Sequence, residues 1–420
     1  MKIVYITRAL PYGLGEAFLI PEIRELLRQG HEVLIVPLSP RGPIIHHDVI
    51  PLMPRFMLEK LISKSVMIGA LSEIVCHPLR AIASLNILLA SRTRGILLKN
   101  LAVFPKALWL ARLARRFGAE HIHAHWGGCC ATLAMVASRV SGIPWSLTVH
   151  SWELTENNLL RVKAESAAFT RVVSHFGEAR LRSHTGPAPE VHVIHVGIDL
   201  PAAPRFTVRT GESDLRCLVV ARLIKIKGID ILIQAWELLR RRGTTVCIDV
   251  VGDGPLRTEF NKAVSSLAAG GHILFQGFIP HDLLLSKMRA GQWDAVVLPS
   301  VIAEDGQQEG MPICLVEAMA RGLAVIATET GGIPELLRGG AGLMVPPKNP
   351  AALADAIQSL RLSPNLYFNL QVNGRKRVEN EFAVNRVVRN LIQQIEVGAA
   401  ARSAELSADP IVVRHARTGA

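Results

Sequence analysis

The sequence predicts an α/β fold built from two Rossmann-like halves, and three observations carry that prediction. Short apolar runs such as KIVYI (2–6), HEVLIVPL (31–38), AVVLPS (295–300) and LAVIAT (323–328) have the length and composition of strands buried on both faces. Segments of helical periodicity alternate with them, the order that yields a parallel sheet covered by helices. A proline-rich stretch, PAAPRFTVRTGES (201–213), divides the chain near its middle and reads as a linker. With 420 residues, 49% hydrophobic and 20% charged, the chain is globular and long enough for two domains.

The first half (1–200) opens with a strand at 2–6, the loop RALPYGLGE, a helix from Ala17 to Gln29 stopped by Gly30, and a second strand. Only Gly13-Leu14-Gly15 stands where a full G-x-G-x-x-G would be needed, so a dinucleotide site is not supported. MKIVYITRAL lacks the longer apolar core and cleavage site of a signal peptide, and no run of 18 apolar residues predicts a spanning helix. Six cysteines without C-x-x-C or metal-ligand spacing read as buried free thiols in a reducing, cytoplasmic compartment.

From Pro54 to Arg116 the pattern turns helical, apolar and basic in three segments: FMLEKLISKSVMIGALSEIV, PLRAIASLNILLASRTRGILLKNLAVF and KALWLARLARRFG. Eleven Lys/Arg face only Glu59 and Glu73 there, a net +9 out of the chain's formal +12. Basic amphipathic helices suit an anionic membrane surface, where each Lys or Arg adds about 1 kcal/mol. Ordinary sheet-covering helices with solvated basic faces give the same pattern. No recognition helix or aromatic-interleaved basic motif accompanies the charge, so nucleic acid is not an expected partner.

HIHAHWGG (121–128) reads as a strand entering a small-residue helix. His123 and His125 would clip a metal only with a third ligand, and none is expected. IPWSLTVHSWEL gives a strand ending at His150, and open α/β sheets place ligands at the carboxyl ends of their strands. A core histidine would fit the same position. RVVSHFGEARLRS and VHVIHVGIDL complete this half.

The second half (214–380) begins with a strand, a basic loop holding Arg222 and Lys227, and a helix. VCIDVVGDGP and HILFQGF add two strands, the latter ending at Gly277 and Phe278. The stretch LPSVIAEDGQQEGMPICLVEAMARGLAVIATETGGIPELL (298–337) organises the rest. Pro312 sits where a first helical turn tolerates a missing N–H, and Gly322 where a helix takes a left-handed stop. Glu309 precedes the helix, and Glu317 lies five residues beyond Pro312, about 7.5 Å along the axis. Two carboxylates thus frame a helix N-terminus, a natural seat for a diphosphate with a sugar at one acid and a ribose at the other. A last helix is expected over 381–397, and 398–420 reads as a mobile tail.

Glu309 and Glu317, eight apart within EGMPICLVEAMARGLAVIAT…GGIPELL, closely resemble the E-x7-E signature of retaining family-4 glycosyltransferases of the GT-B fold, nearest to members that build bacterial exopolysaccharides of the colanic-acid type. GEAFLIPEIRELLRQGHEV resembles the opening of that subset, with Gly15 and Ala17 where serine and threonine are usual. Arg222 and Lys227 in ARLIKIKG resemble the pair that binds the donor diphosphate, and His150 the histidine that contacts the donor sugar, with Glu153 where Asp is commoner. HVGID (195–199) resembles the end of the N-terminal domain, and the family carries its H-x-H without a metal.

The resemblance implies two Rossmann-like domains facing across a cleft, with the final helix crossing back to the first. It implies catalytic roles for Glu309, His150, Arg222 and Lys227. Donor contacts are implied for Glu317, Gly310, Ile313, Cys314 and Leu315, and base contacts for Gly277 and Phe278. Gly13, Gly15 and Glu16 would form an acceptor-side loop. The implied activity is retaining transfer of a hexose from a UDP- or GDP-linked sugar to a saccharide acceptor, lipid-linked, at the inner face of the cytoplasmic membrane. No metal or other cofactor is expected, since fixed cations and the helix dipole would carry the leaving-group charge and no Asp-x-Asp occurs. A nucleotide-sugar epimerase or phosphorylase of the same architecture, or a non-catalytic sugar-nucleotide-binding subunit at the membrane, are the rival readings.

Overall fold

Strands and helices alternate as the apolar runs predict. The computed structural model describes every residue except Leu14, Ala188, Arg205 and residues 208–213, 267–271 and 409–420. It divides the chain into two units, one comprising 1–173, 177–194 and 387–420, the other 174–176 and 195–386.

In the first unit the elements are β1 (Lys2–Thr7), α1 (Leu19–Arg28), β2 (Glu32–Pro37), α2 (Lys64–Cys76), α3 (Pro78–Leu89), α4 (Arg94–Phe117), β3 (His121–Ala124), α5 (Cys129–Ser141), β4 (Trp145–Val149), α6 (Ser151–Glu156), α7 (Leu160–Ser166), β5 (Phe169–Val172), α8 (His175–Thr185) and β6 (Val191–Val193). The six strands form one parallel sheet in the order β2-β1-β3-β4-β5-β6. Ile3, Val4, Ile6, Ile122 and Leu147 are fully buried in it, which is why the sequence shows continuous apolar runs rather than alternation. The basic region yields α2, α3 and a single α4 that runs through Pro105, where two helices were expected. Residues 56–63, read as helical, are not; a 3₁₀ segment occupies His47–Arg55 instead.

In the second unit follow β7 (Leu215–Val220), α9 (Ile229–Arg241), β8 (Val246–Val251), α10 (Arg257–Ser266), β9 (His272–Gly277), α11 (His281–Arg289), β10 (Ala295–Leu298), α12 (Ile313–Ala320), β11 (Ala324–Thr328), α13 (Ile333–Leu337), β12 (Leu343–Val345), α14 (Pro350–Leu362), α15 (Pro364–Glu381) and α16 (Val384–Ala408). Its parallel sheet runs β12-β11-β10-β7-β8-β9.

The sequence placed the boundary at residue 200, whereas the units divide after Ile194. Where described, the proline-rich stretch packs on the second unit: Pro201 O accepts from Arg375 at 3.0 Å and the Thr207 N–H donates to Gln371 at 3.2 Å. The rest of that linker lies outside the described residues. The last helix spans Val384–Ala408 rather than 381–397, and from Val387 it counts with the first unit. Eleven residues of the expected tail are therefore helical, and 409–420 lie outside the described residues.

Candidate functional site

Each sheet reverses its winding direction at one place, and open α/β sheets bind ligands beside the strand ends at such a switch point. In the second unit it falls between β7 and β10. The loop after β7 carries Arg222 and Lys227, and the loop after β10 carries Ser300 and Glu309. These loops are stitched together by the Val301 N–H donating to Ile226 O at 2.8 Å.

Glu309, nearly buried, accepts from Lys227 Nζ at 2.6 Å and from Ser300 Oγ at 2.6 Å, both on Oε1. Burial opposes the charge on Lys227, but Glu309, through its charge and its hydrogen bond, outweighs it and leaves the ammonium pKa above its ordinary value. Lys227 thus remains cationic and keeps N–H donors beyond the one given to Glu309. Arg222 is exposed, and its guanidinium has no hydrogen-bond partner among the described residues.

Pro312 caps α12 in an extended conformation, one position earlier than the sequence suggested, and Gly322 takes the expected left-handed stop. The Leu315 N–H is already bonded to Pro312 O at 3.1 Å. Of the implied donor contacts at this helix start, the amides of Ile313 and Cys314 have no backbone acceptor among the described residues, whereas that of Leu315 is taken. Burial pushes the Cys314 thiol up to about 12, so it stays protonated beside them. Glu317 Oε1 pairs with His281 Nε2 at 2.6 Å. Sequence reasoning missed His281; a lone histidine opening α11 carries no local signal. Gly277 ends β9 with its carbonyl accepting from the Gly252 N–H at 2.8 Å, and Phe278 beside it is 40% exposed. Gly310 O faces Gly332 so closely that no side chain fits there.

In the first unit the switch point lies between β1 and β3. Glu16 bridges it. Its carboxylate accepts the N–H groups of Arg8 (2.8 Å), Ala9 (2.6 Å) and Leu10 (2.7 Å) and the Trp126 indole N–H (2.5 Å). Glu16 therefore shapes the loop that also contains Gly13 and Gly15, rather than reaching out of it. The Trp126 ring lies 4.7 Å from that of His150, and Phe18 stands edge-on to His150 at 6.0 Å. His123 bonds Ser146 and Thr148, and His125 bonds Tyr5 and His150, so both alternate histidines are core polar groups with protein partners. Among the described residues no three His, Cys, Asp or Glu side chains gather as a metal-holding set.

The His150 N–H donates to Glu153 Oε2 at 3.0 Å, opening α6. Burial pushes the Glu153 carboxyl up to about 7 from its ordinary 4.5, against the pull of backbone N–H groups. The folded state then binds this proton more tightly than the unfolded chain, so the associated stability is present at low pH and lost as pH rises from about 4.5 to about 7. Glu153→Gln keeps the cap and should gain up to about 3 kcal/mol on the parent protein between pH 5 and pH 8. Urea unfolding at both pH values checks this; an equal difference at both refutes it.

The family model described as "Glycosyl transferases group 1" matches residues 205–377, and "Glycosyltransferase Family 4" matches 19–201. A putative colanic acid biosynthesis glycosyltransferase of Salmonella typhimurium is 30% identical over 229 residues, covering 53% of this chain and 56% of that protein. An amylovoran biosynthesis glycosyltransferase of Erwinia amylovora is 29% identical over 53% and 55% of the two chains, so the matches span about half the length of these relatives. A GDP-mannose-dependent alpha-(1-6)-phosphatidylinositol monomannoside mannosyltransferase of Mycolicibacterium smegmatis is 28% identical over 65% of this chain and 76% of that one. Among solved structures, Anabaena HepE in complex with UDP and glucose superimposes with a TM-score of 0.70 at 17% identity, over 94% of this chain and all of that one. Two parallel Rossmann-like sheets, acids and cations at their switch points, and family matches over both halves agree: the chain belongs to the family-4 glycosyltransferases of the GT-B fold.

Proposed function

We propose that this chain is a retaining glycosyltransferase moving a hexose from a nucleotide-diphosphate sugar to a saccharide acceptor, lipid-linked, in surface-polysaccharide synthesis. The Lys227–Glu309–Ser300 cluster at the β7/β10 switch point carries the reading. Lys227, Arg222 and the open Ile313 and Cys314 amides concentrate positive charge where a diphosphate leaving group would gain negative charge. Glu309, fixed by two donors, offers its second oxygen to sugar hydroxyls, and Glu317 offers its second oxygen to a ribose. His150 meets a hydroxyl of the sugar, and Gly277 and Phe278 lie toward the base. No protein nucleophile is assigned, and no metal or other cofactor is part of the proposal. A fold neighbour crystallised with UDP and glucose, and a relative named for GDP-mannose, support a nucleotide-diphosphate donor of either base.

Thermal unfolding with a panel of UDP- and GDP-sugars tests this directly. One donor at 100-fold its Kd should stabilise the protein by about 2.7 kcal/mol, and slow release of free sugar from that donor should vanish in Glu309→Ala. If no nucleotide sugar raises the melting temperature, the proposal fails.

The acceptor side of the proposal places the chain on an anionic membrane. On α2 and α3, Ile68, Leu71, Val75 and Leu79 are 67%, 63%, 71% and 82% exposed. The two acids of this region are occupied, Glu73 by Arg115 and Glu59 by Ser63. Arg112 and Arg116 line a groove with Ile68 and Trp109. No single helix among the described residues is long and apolar enough to cross a membrane; α2 and α3 pass that test only as a pair bent by 112°. Flotation with phosphatidylserine vesicles should recover the protein at low salt and less at high salt, and Leu71→Glu/Val75→Glu should abolish recovery. No flotation of the parent at either salt removes the membrane from the proposal.

A further inference from the structure

We infer that Tyr5, Glu22, Arg171 and His125 are positioning residues that fix His150 as a neutral ring with Nε2 protonated and Nδ1 bare. One buried chain of contacts leads to His150, and every link of it has a single consistent proton arrangement.

It begins at an ion pair. Arg171 Nη1 donates to Glu22 Oε2 at 2.8 Å, and both side chains are fully buried. Arg171 Nε donates to Ile194 O at 2.9 Å, which anchors the guanidinium. Glu22, an ionised carboxylate, only accepts. The Tyr5 hydroxyl, 2.6 Å from Glu22 Oε1, must spend its one proton there. Its oxygen lies 2.6 Å from His125 Nδ1, so that nitrogen must carry the proton of this contact. Burial raises the Tyr5 pKa and lowers that of His125, keeping both neutral. A neutral imidazole protonated at Nδ1 has a lone pair at Nε2. His150 Nε2 sits 3.1 Å from it and must donate. Burial holds the His150 pKa down to about 3, so its second nitrogen, Nδ1, carries no proton and faces the Glu153 N–H in the capping box that opens α6.

This chain ends at an ion pair with no exposed surface, so it has no outlet for a proton and serves to orient. The rings around it agree with that role: Trp126 and Phe18 pack on His150 and leave its imidazole little freedom to flip. A bare, uncharged Nδ1 accepts from O–H or N–H and repels anions. Within the transferase reading, on which this last step rests, the ring meets the sugar uncharged. His150 is then neither a cation for the diphosphate nor a proton-transfer group.

Long-range proton–nitrogen correlation spectra of the full chain with ¹⁵N-labelled histidine test the inference at pH 7, with His150→Gln and His125→Gln assigning the two rings. His150 should show Nε2 protonated and Nδ1 bare, and His125 the reverse. In Tyr5→Phe both rings should lose their single tautomer, while unlabelled circular dichroism stays native. A wild-type His150 protonated at Nδ1 overturns the proposal, as does a folded Tyr5→Phe whose two rings are unchanged. Should Tyr5→Phe fail to fold, the wild-type spectrum alone decides. Because the spectrum needs no sugar nucleotide, its outcome is separate from the transferase reading. With a donor in hand, Tyr5→Phe should lower kcat/KM about 10–100-fold and leave the Kd for the free nucleotide within twofold. A merely structural lesion would instead move the melting temperature and the nucleotide Kd together.

Discussion

Lys227→Met is expected to lower the rate of sugar release or transfer about 100–1,000-fold, the range found when one preorganised donor to a developing charge is removed. The ammonium is held at the β7/β10 switch point by Glu309, and in the proposed transfer its remaining N–H groups would meet the departing diphosphate. Lys225→Met, an exposed lysine in the same loop, is the control and should stay within twofold. Lys227→Met also strands the nearly buried Glu309 carboxylate, at a cost of about 3 kcal/mol. Since the pairing raises the Lys227 pKa, its contribution to stability is complete below the ordinary lysine value and is lost only as the solution becomes more alkaline than the raised one. The penalty should therefore be the same at pH 7 and pH 9. A Lys227→Met protein active to within fivefold would refute the assignment of the diphosphate to this lysine.

Gly331→Ala should cost about 3 kcal/mol and abolish donor binding. Gly331 takes φ +56°, and a methyl group there would penetrate the Glu309 carbonyl oxygen. The neighbouring Gly332 N–H donates to that same oxygen at 3.1 Å, so the glycine turn after β11 is what seats the Glu309 backbone. Displacing it combines steric overlap with a left-handed conformation that alanine resists. Gly243→Ala isolates the second effect, because Gly243 has φ +71° with open space around it, and should cost only about 1 kcal/mol. Equal urea midpoints for the two variants would show that the contact with Glu309 carries no weight.

Local chemistry made part of this site legible. The run from Pro312 to Gly322 announces a helix with both ends marked, Glu309 and Glu317 stand before and within it, and Arg222 and Lys227 follow closely on β7. What escaped notice is long-range. Glu22 lies on the buried stripe of α1 with Leu19, Ile23 and Leu26, a charge among apolar positions that a stricter reading of that face could have flagged. Its partner Arg171 is 149 residues away in β5, and nothing in either segment names the other. His281 and Glu317 are likewise joined only by the fold. Glu16 was legible as a loop residue but not as the anchor of three backbone amides, since an acid in a glycine loop looks the same whether it faces solvent or its own main chain. The closure of the Leu315 amide onto Pro312 was not legible either, since it is a detail of dihedral angle in the first turn of α12 and not of composition.

Helix α16 gives the chain an unusual order of assembly on the ribosome. Val388, Leu391 and Ile395 fill the core of the unit built from the first residues, yet they emerge only after the whole of the other unit has been made. The later-synthesised unit can thus condense while the earlier one still lacks its closing piece, and a nascent chain halted near residue 380 would hold an apolar seam open for chaperones to occupy.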